Sequence, residues 1–240
     1  MLSYDRLQAR PRELLAVTGL TVEEFERLLP AFERAYAQKY PPERTLAGTV
    51  RQRQAGGGAK GQLRGFANKL LFMLVYHKTN PLQTLHGLQF NLSQGQANYW
   101  IHHLLPVLQQ ALRDLGQTPA RAADGVAASA LAQEGGPDLV IDGTERPRQR
   151  PQDKTRQKEH YSGKKKTHTD KNILLVNEHS GKVAYLSETV AGKTHDKKAA
   201  DEAQIVYPRG ATLSKDTGFQ GYEPPGVLTA QPKKSRGDRH

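Results

Sequence analysis

The sequence of 240 residues contains no cysteine. It therefore has no disulfide framework and no zinc site built on thiolates. It also has no run of roughly 18 consecutive apolar residues, the length that a membrane-spanning helix needs. The first residues, MLSYDRLQARPRELL, lack the apolar segment of a secretory signal. These absences predict a soluble, cytoplasmic protein without a membrane partner.

Positive charge is in excess, with 35 Lys and Arg against 24 Asp and Glu and a net charge of +11. Such an excess favours a polyanionic partner, usually nucleic acid. Residues 144–172 concentrate it, with ten basic and four acidic side chains. We expect this basic segment to contact phosphates, although a solvated loop between two strands explains the pattern as well. The candidate phosphate ligands are Arg146, Arg148, Lys164, Lys165 and Lys166.

Two capping boxes mark helices in the first 115 residues. Thr21 with Glu24 precedes apolar positions at helical spacing, and Pro41 and Pro42 end that helix. The stretch LRGFANKLLFMLVYHKTN is apolar enough for a buried helix, and Ser93 with Gln96 begins the second capped helix. Between residues 51 and 65 the sequence RQRQAGGGAKGQLRG predicts a basic surface loop, because it lacks the spacing of a phosphate-binding Walker loop.

A short helix, a tight connection and the helix that begins after Ser93 follow one another, which is the layout of a helix-turn-helix. Exposed amides at the start of the last helix can bond adenine edges in the major groove of DNA. The candidates are Gln94, Gln96 and Asn98, with Tyr99 beside them. An ordinary helical bundle with a polar helix start fits the same pattern. Pro106 is expected to kink this helix.

The pattern changes after residue 115. Residues 116–137 are rich in Ala between Gly and Pro, which predicts a linker. From residue 138 short runs rich in β-branched residues predict strands, with NEHSGK as a hairpin turn and THDKKAADEAQIV as a helix capped by Asp196. The predicted fold is α+β: an all-α domain at 1–115, a linker at 116–137 and a mixed α/β domain at 138–240.

Asp142 and Asp216 each end a predicted strand of the second domain. Carboxylates at strand ends are often turn formers, but here a basic segment follows the first one closely. Two carboxylates about 4 Å apart repel by roughly 4 kcal/mol at an effective dielectric near 20. A divalent cation removes that penalty, and hard oxygen ligands suit Mg²⁺ or Mn²⁺. The sequence thus predicts a metal-dependent site that cleaves phosphodiesters.

Several segments, among them IDGTERP, YSGKKK and GFQGYEP, resemble the catalytic domain of bacterial insertion-sequence transposases of the DDE superfamily. Residues 70–108 resemble the helix-turn-helix of the same enzymes. The resemblance implies an RNase H-like core, with Asp142 and Asp216 as the first two catalytic and metal-binding acids. It also implies binding of terminal inverted repeats, metal-dependent DNA cleavage and strand transfer to target DNA, and we expect a homo-oligomer on that DNA. His195 and Asp196 match a recurring His-Asp pair whose role is left open.

The family's third acid, a glutamate, lies on a helix well after the second aspartate. Glu223 falls in a turn and Asp238 in a short basic tail, so neither matches it. We therefore expect an incomplete catalytic domain, from a decayed copy or the first frame of a frameshifted gene. An inactive DNA-binding protein that occupies element ends is the alternative. An RNA-binding protein is a weaker one, because only Tyr161 interrupts the basic run and no stacking platform is evident.

Overall fold

The computed structural model describes residues 1–44, 49–50, 52 and 62–232. It divides the chain into two compact units, Met1–Gln117 and Thr118–His240. Most of the predicted basic loop at 51–65 and the tail with Asp238 lie outside the described residues. In the described part of the chain no helix is both long and apolar enough to cross a membrane.

The first unit is helical. Its helices are α1 (Tyr4–Gln8), α2 (Pro11–Thr18), α3 (Val22–Lys39), α4 (Phe66–Thr79), α5 (Gln83–Gln89) and α6 (Gln94–Asp114). Both predicted capping boxes are confirmed, at Thr21 with Glu24 and at Ser93 with Gln96. In each box the hydroxyl accepts a hydrogen bond from the third residue's amide, and that residue's side chain accepts one in return.

The core of the first unit forms around α4, whose residues Leu70 to Met73 are fully buried. Phe25 and Phe32 of α3 and Leu104 of α6 pack into the same cluster. The sequence prediction of a buried helix at α4 is thus confirmed. Pro106 lies inside α6, which continues through it to Asp114.

The turn between α5 and α6 is tight, and Gly87 makes it possible. A side chain on Gly87 would place its first carbon 2.6 Å from the carbonyl oxygen of Leu92, which is a collision. The amide of Leu92 donates to the carbonyl of Gly87 at 2.9 Å, and Asn91 adopts a left-handed conformation with φ of 56°. These contacts fix α6 against α5 in a helix-turn-helix, as predicted.

The second unit is built on a mixed sheet. Its strands are β1 (Asp138–Pro147), β2 (Tyr161–Ser162), β3 (Thr167–Asn177), β4 (Val183–Leu186), β5 (Val190–Ala191), β6 (Thr212–Lys215) and β7 (Leu228–Ala230). The strand order is β2-β3-β1-β6-β7, and β4 and β5 also pair with β3. β1 is antiparallel to β3 and parallel to β6, and β6 is parallel to β7. The result is an RNase H-like α+β domain.

Side chains alternate across this sheet. Leu139 and Ile141 of β1 and Leu213 of β6 are fully buried in one core with Ile173 and Leu175 of β3. The helices of this unit are α7 (Ala130–Gln133), α8 (Lys154–His160) and α9 (Asp196–Ala203). Ala199 and Ala200 of α9 belong to the same core. The predicted hairpin turn is also present, because the amide of Asn177 bonds the carbonyl of Lys182.

Two expectations from the sequence differ from the structure. Most of the expected linker, residues 118–137, belongs to the second unit, where Val126, Leu131 and Ala132 are buried in the core. Its apolar residues are spaced too irregularly to reveal a packed face. The basic segment, expected as a ribbon or loop between strands, contains α8 and β2 as well. The cap of α8 is Asp153, whose carboxylate accepts from the amide of Arg156 at 2.8 Å.

Candidate active site

Strand register brings Asp142 and Asp216 together. Ile141 of β1 is paired with Lys215 of β6 in a parallel ladder. Asp142 is the next residue of β1, and Asp216 directly follows the last residue of β6. The prediction that Asp142 ends its strand is wrong, because β1 continues to Pro147. Neighbouring strands lie about 4.8 Å apart, so the two backbones place both carboxylates at one edge of the sheet.

Both aspartates are exposed to solvent, each directly after a buried residue. Ile141 and Lys215, the residues just before them, are buried on the core side. Successive side chains of a strand point to opposite faces. Asp142 therefore lies on the other face, Asp216 follows the end of β6, and both are exposed.

Each aspartate has one oxygen engaged by a nearby amide. Asp142 Oδ1 accepts from the amide of Gly143 at 2.7 Å, and Asp216 Oδ1 accepts from the amide of Gly218 at 2.9 Å. Among the ion pairs of the described residues, none includes either aspartate. Each carboxylate thus keeps a second oxygen for a ligand, and carboxylate oxygens are the donors that hard divalent cations prefer.

A buried ion-pair network adjoins this edge. The Lys171 ammonium is buried and lies 2.7 Å from Asp196 Oδ1, 2.7 Å from the carbonyl oxygen of Thr194 and 3.5 Å from Glu145 Oε1. Glu145 and Lys171 face each other across β1 and β3. Burial raises the pKa of Glu145, but hydrogen bonds from Ser162 and Thr169 and the nearby Lys171 outweigh it and hold that pKa below its usual value.

Asp196 does not cap α9 as the sequence suggested. His195 occupies the cap position, Asp196 is the first helical residue, and its carboxylate bonds Lys171 instead. Asp196 also approaches Asp216, one of the two catalytic candidates. A methyl group placed on Gly218 would lie 2.9 Å from Asp196 Oδ2 and 3.0 Å from Asp216 Oδ1. The two carboxylates therefore flank Gly218, a proximity that no sequence signal revealed.

The described residues offer no group of three or more His, Cys, Asp or Glu placed to hold a metal ion. Asp142 and Asp216 alone fit a divalent cation that keeps several waters, which is how Mg²⁺ is usually bound in proteins. Glu223 is engaged elsewhere, with Lys215 Nζ 2.5 Å from its Oε1 and the Thr229 hydroxyl donating to its Oε2. These hydrogen bonds lower the pKa of Glu223.

The candidate reading surface lies at the start of α6, where Gln94 and Gln96 are exposed and Asn98 is half-buried. Gln96 Oε1 accepts from the amide of Ser93 and so serves the helix cap. Gln94 Nε2 and Asn98 Nδ2 both donate to Gln83 Oε1, at 2.7 and 3.2 Å. Gln83, the first residue of α5, was not a sequence candidate. Its position at the start of the preceding helix was the available signal.

The basic candidates separate into two groups. Arg146 donates to Asn172 Oδ1 at 2.8 Å, and Arg148 forms an ion pair with Asp170 at 2.9 Å. These arginines are occupied within the protein. The three consecutive lysines of the β2–β3 turn are exposed, and among the ion pairs between described residues none includes them: Lys164, Lys165 and Lys166.

A helix-turn-helix and an RNase H-like sheet with paired aspartates at one edge define a class of proteins, the transposase-like DNA-binding nucleases. Residues 141–238 match the family described as DDE superfamily endonuclease, and residues 62–114 match the helix-turn-helix of DDE superfamily endonuclease. The chain belongs to the DDE superfamily of endonucleases, whose members typically use divalent metal ions. Comparisons with curated proteins and with solved structures found no match.

Proposed function

We propose that the chain is an insertion-sequence transposase that binds terminal inverted repeats and cleaves and transfers DNA strands at the edge formed by Asp142 and Asp216. The observation that carries this proposal is their shared register on two parallel strands, with one free oxygen on each carboxylate. The match to DDE endonucleases supports the reaction class.

The helix-turn-helix supports the binding half of the proposal. α6 presents Gln94 and Asn98, whose side-chain oxygens have no bond among those described, so they remain able to accept from adenine or cytosine amino groups. Two element ends must be brought together for transposition. We therefore propose that the chain acts as a homo-oligomer on DNA, in the cytoplasm.

The chemical half depends on how charge is distributed at the sheet edge. Lys171 compensates Glu145 and Asp196, whereas Asp142 and Asp216 take part in none of the ion pairs between described residues. They would hold Mg²⁺ or Mn²⁺, which when bound supplies Lewis-acid activation of an oxygen and neutralises phosphate charge. With two acidic ligands the binding is weak, and we expect the 240-residue chain alone to cleave slowly because small misplacements can cost about 10²-fold in rate.

A DNA-binding protein without cleavage activity is the second candidate. The observation in its favour is that the described residues place no third acid in a metal-binding group with Asp142 and Asp216. Such a protein would occupy element ends through α6 and block access to them.

Nicking of a supercoiled plasmid that carries the element ends, with Mg²⁺ or Mn²⁺, separates the two candidates. A transposase nicks the plasmid, and Asp142→Asn and Asp216→Asn each lower the rate of nicking by about 10²-fold. Asp201→Asn is the matched control, because Asp201 is exposed on α9 and pairs with Lys197. Sequence-specific binding without nicking would favour the inactive protein. Mn²⁺ binding followed by electron paramagnetic resonance tests the site without reference to turnover.

A further inference from the structure

A groove of about 860 Å³ opens beside α8 in the second unit. This volume is in the range of ligand-binding pockets. Four cations and two aromatic rings line it, and no acidic residue does. The lining residues are Arg150, Lys154, Gln157, Lys158, Tyr161, Gly163, His168 and Lys193.

Helix α8 and nearby hydrogen bonds fix the positions of these basic residues around the groove. Lys154 and Lys158 lie one turn apart on α8 and so share a face of that helix. The amide of Lys193 donates to the carbonyl of Glu159 at 3.2 Å, which anchors the following loop to the end of α8. Arg150 donates to Gln157 Oε1 at 2.9 Å.

Lys154, Lys158 and Lys193 also differ from five other lysines of the second unit. Lys171, Lys182, Lys197, Lys198 and Lys215 all form ion pairs. Among the ion pairs of the described residues, none includes Lys154, Lys158 or Lys193. Several uncompensated cations around one concave surface favour a polyanion as ligand, and phosphates are the anions that DNA offers.

Tyr161 gives the groove a second chemistry. Its ring is 45% exposed, whereas Ser162, the next residue of β2, is buried on the opposite face. Tyr161 is paired with His168 of β3, and the two rings meet edge to face with centroids 5.7 Å apart. Sites that contact only duplex phosphates have no need of an exposed ring, whereas unstacked bases pack on aromatic side chains.

The geometry points to a binding site in this groove for an unpaired nucleotide of the DNA substrate. The base stacks on Tyr161, and the flanking phosphates lie against Lys154, Lys158 and Lys193. The inference rests on the proposed function, since unpaired nucleotides arise where DNA strands are separated for cleavage and transfer. It assigns a role to α8 and Tyr161, which take no part in the site formed by Asp142 and Asp216.

The position of the groove sets a distance from the scissile phosphate. Tyr161 pairs with His168, and Asp142 pairs with Leu174, six residues further along β3. Six residues of a strand span about 20 Å. Phosphates of one B-DNA strand are spaced by about 3.4 Å along the helix axis, so with duplex DNA between them the unpaired base lies about six nucleotides from the cut.

Binding of a 20-nucleotide single strand carrying 2-aminopurine, compared with the matching duplex, tests this site without metal or turnover. Tyr161→Ala is expected to lower affinity for the single strand by about 5- to 100-fold, the range for loss of one base–aromatic stack. Its duplex affinity should change less than twofold. Tyr161→Phe keeps the ring and should restore binding and the quenching of 2-aminopurine. If Tyr161→Ala does not fold, Tyr161→Leu replaces it, because leucine keeps apolar bulk without the ring.

Lys158→Gln should weaken the binding of single strands and lower the slope of log affinity against log salt by about 0.7. Lys182→Gln is the matched control, at the far end of β3, and should change neither. If Tyr161→Ala leaves single-strand affinity intact, or weakens single strand and duplex equally, the stacking site is refuted while the proposed function stands. If the wild-type chain binds neither DNA, both are refuted.

Discussion

Two aspartates of β1, Asp138 and Asp142, differ in the hydrogen bonds that their carboxylates accept. Asp138 accepts hydrogen bonds from the Thr212 hydroxyl at 2.5 Å and from His179 Nε2 at 2.7 Å, and these bonds lower its pKa. Asp142, four residues along the same strand, accepts one bond, from the amide of Gly143. Both oxygens of Asp138 accept hydrogen bonds from the protein, whereas Asp142 keeps one oxygen available.

The contrast indicates which acids are structural. A saturated carboxylate joins strands, here β1 to β6 and to the β3–β4 turn that contains His179. An acid without such partners contributes little to the fold, so its place at the sheet edge needs another reason. By the same criterion Glu145 and Asp196 are structural, since Lys171 binds both.

The largest expected effect comes from removing the cation between the structural acids. Lys171→Met leaves the buried carboxylate of Glu145 and the half-buried carboxylate of Asp196 without their partner, which should destabilise the second unit by about 3 kcal/mol. Hydrogen exchange of the β1 and β3 amides at increasing urea measures this. Lys182→Met, which breaks the exposed pair with Glu134, should cost less than about 1 kcal/mol. Similar costs for both would remove the distinction.

The next effect is on cleavage. Asp142→Asn should reduce metal-dependent nicking by about 10²-fold and leave the melting temperature unchanged, because the amide keeps the shape but not the charge of the ligand. Asp138→Asn should leave nicking unchanged and lower the melting temperature. Nicking and thermal unfolding of the two variants are measured side by side. Loss of nicking in both, or in neither, would break the comparison.

The amides of α6 follow the same logic. Gln96 is engaged in the helix cap, while Gln94 and Asn98 retain free oxygens. Asn98→Ala should lower discrimination between end sequence and random DNA by about 1–3 kcal/mol. Gln96→Ala should lower it less and instead weaken the start of α6. Competition binding gives the ratio, and a larger loss for Gln96→Ala would show that capping does not exclude reading.

A smaller effect is expected on the stability of the second unit at low pH. Since the folded-state pKa of Asp138 is lowered, its stabilising bonds are fully present above about pH 3.9, the pKa of a free aspartate, and are lost as the pH falls through the folded value. The melting temperatures of wild type and Asp138→Asn should therefore converge at low pH. A constant difference from pH 7 to pH 2.5 would contradict the assignment.

The smallest effect lies in the first unit. His86 is fully buried among Phe72, Tyr76 and Phe90, and neither ring nitrogen has a hydrogen-bond partner among the described residues. Burial lowers the pKa of His86, so the unfolded chain binds the proton more readily and stability falls as the pH drops below about 6.5.

His86→Phe should flatten this dependence, with fluorescence of Trp100, the one tryptophan of the chain, as the probe. A residual slope is expected from His77 and His103, whose pKa values are also lowered by burial. An unchanged slope in His86→Phe would show that His86 does not titrate with unfolding.

Local patterns predicted much of this structure. The capping boxes at Thr21 and Ser93 depend on residues three positions apart, and the hairpin at 177–182 depends on one short turn. These signals lie within a few residues and can be read directly. The position of Asp216 just after a strand was predicted in the same way, whereas Asp142, predicted to end its strand, lies in the middle of β1. The roles of both were implied by the family resemblance.

Contacts between distant residues could not be predicted. The bond from Lys171 to Asp196 joins positions 25 apart, and the bond from Asn98 to Gln83 joins positions 15 apart. Both depend on how elements pack. The burial of Leu131 and Ala132 was missed for the same reason, since an alanine-rich stretch has no periodicity that identifies its packed face.

The shared register of β1 and β6 makes the spacing of the two catalytic candidates a discrete quantity. Sliding β6 by one residue would move Asp216 by about 3.3 Å and turn its side chain to the core face, with no intermediate arrangement. An insertion or deletion of one residue in β6 before Asp216 would therefore remove its carboxylate from this site. The distance between the two carboxylates can change in smaller steps only through side-chain length, as in a change from aspartate to glutamate.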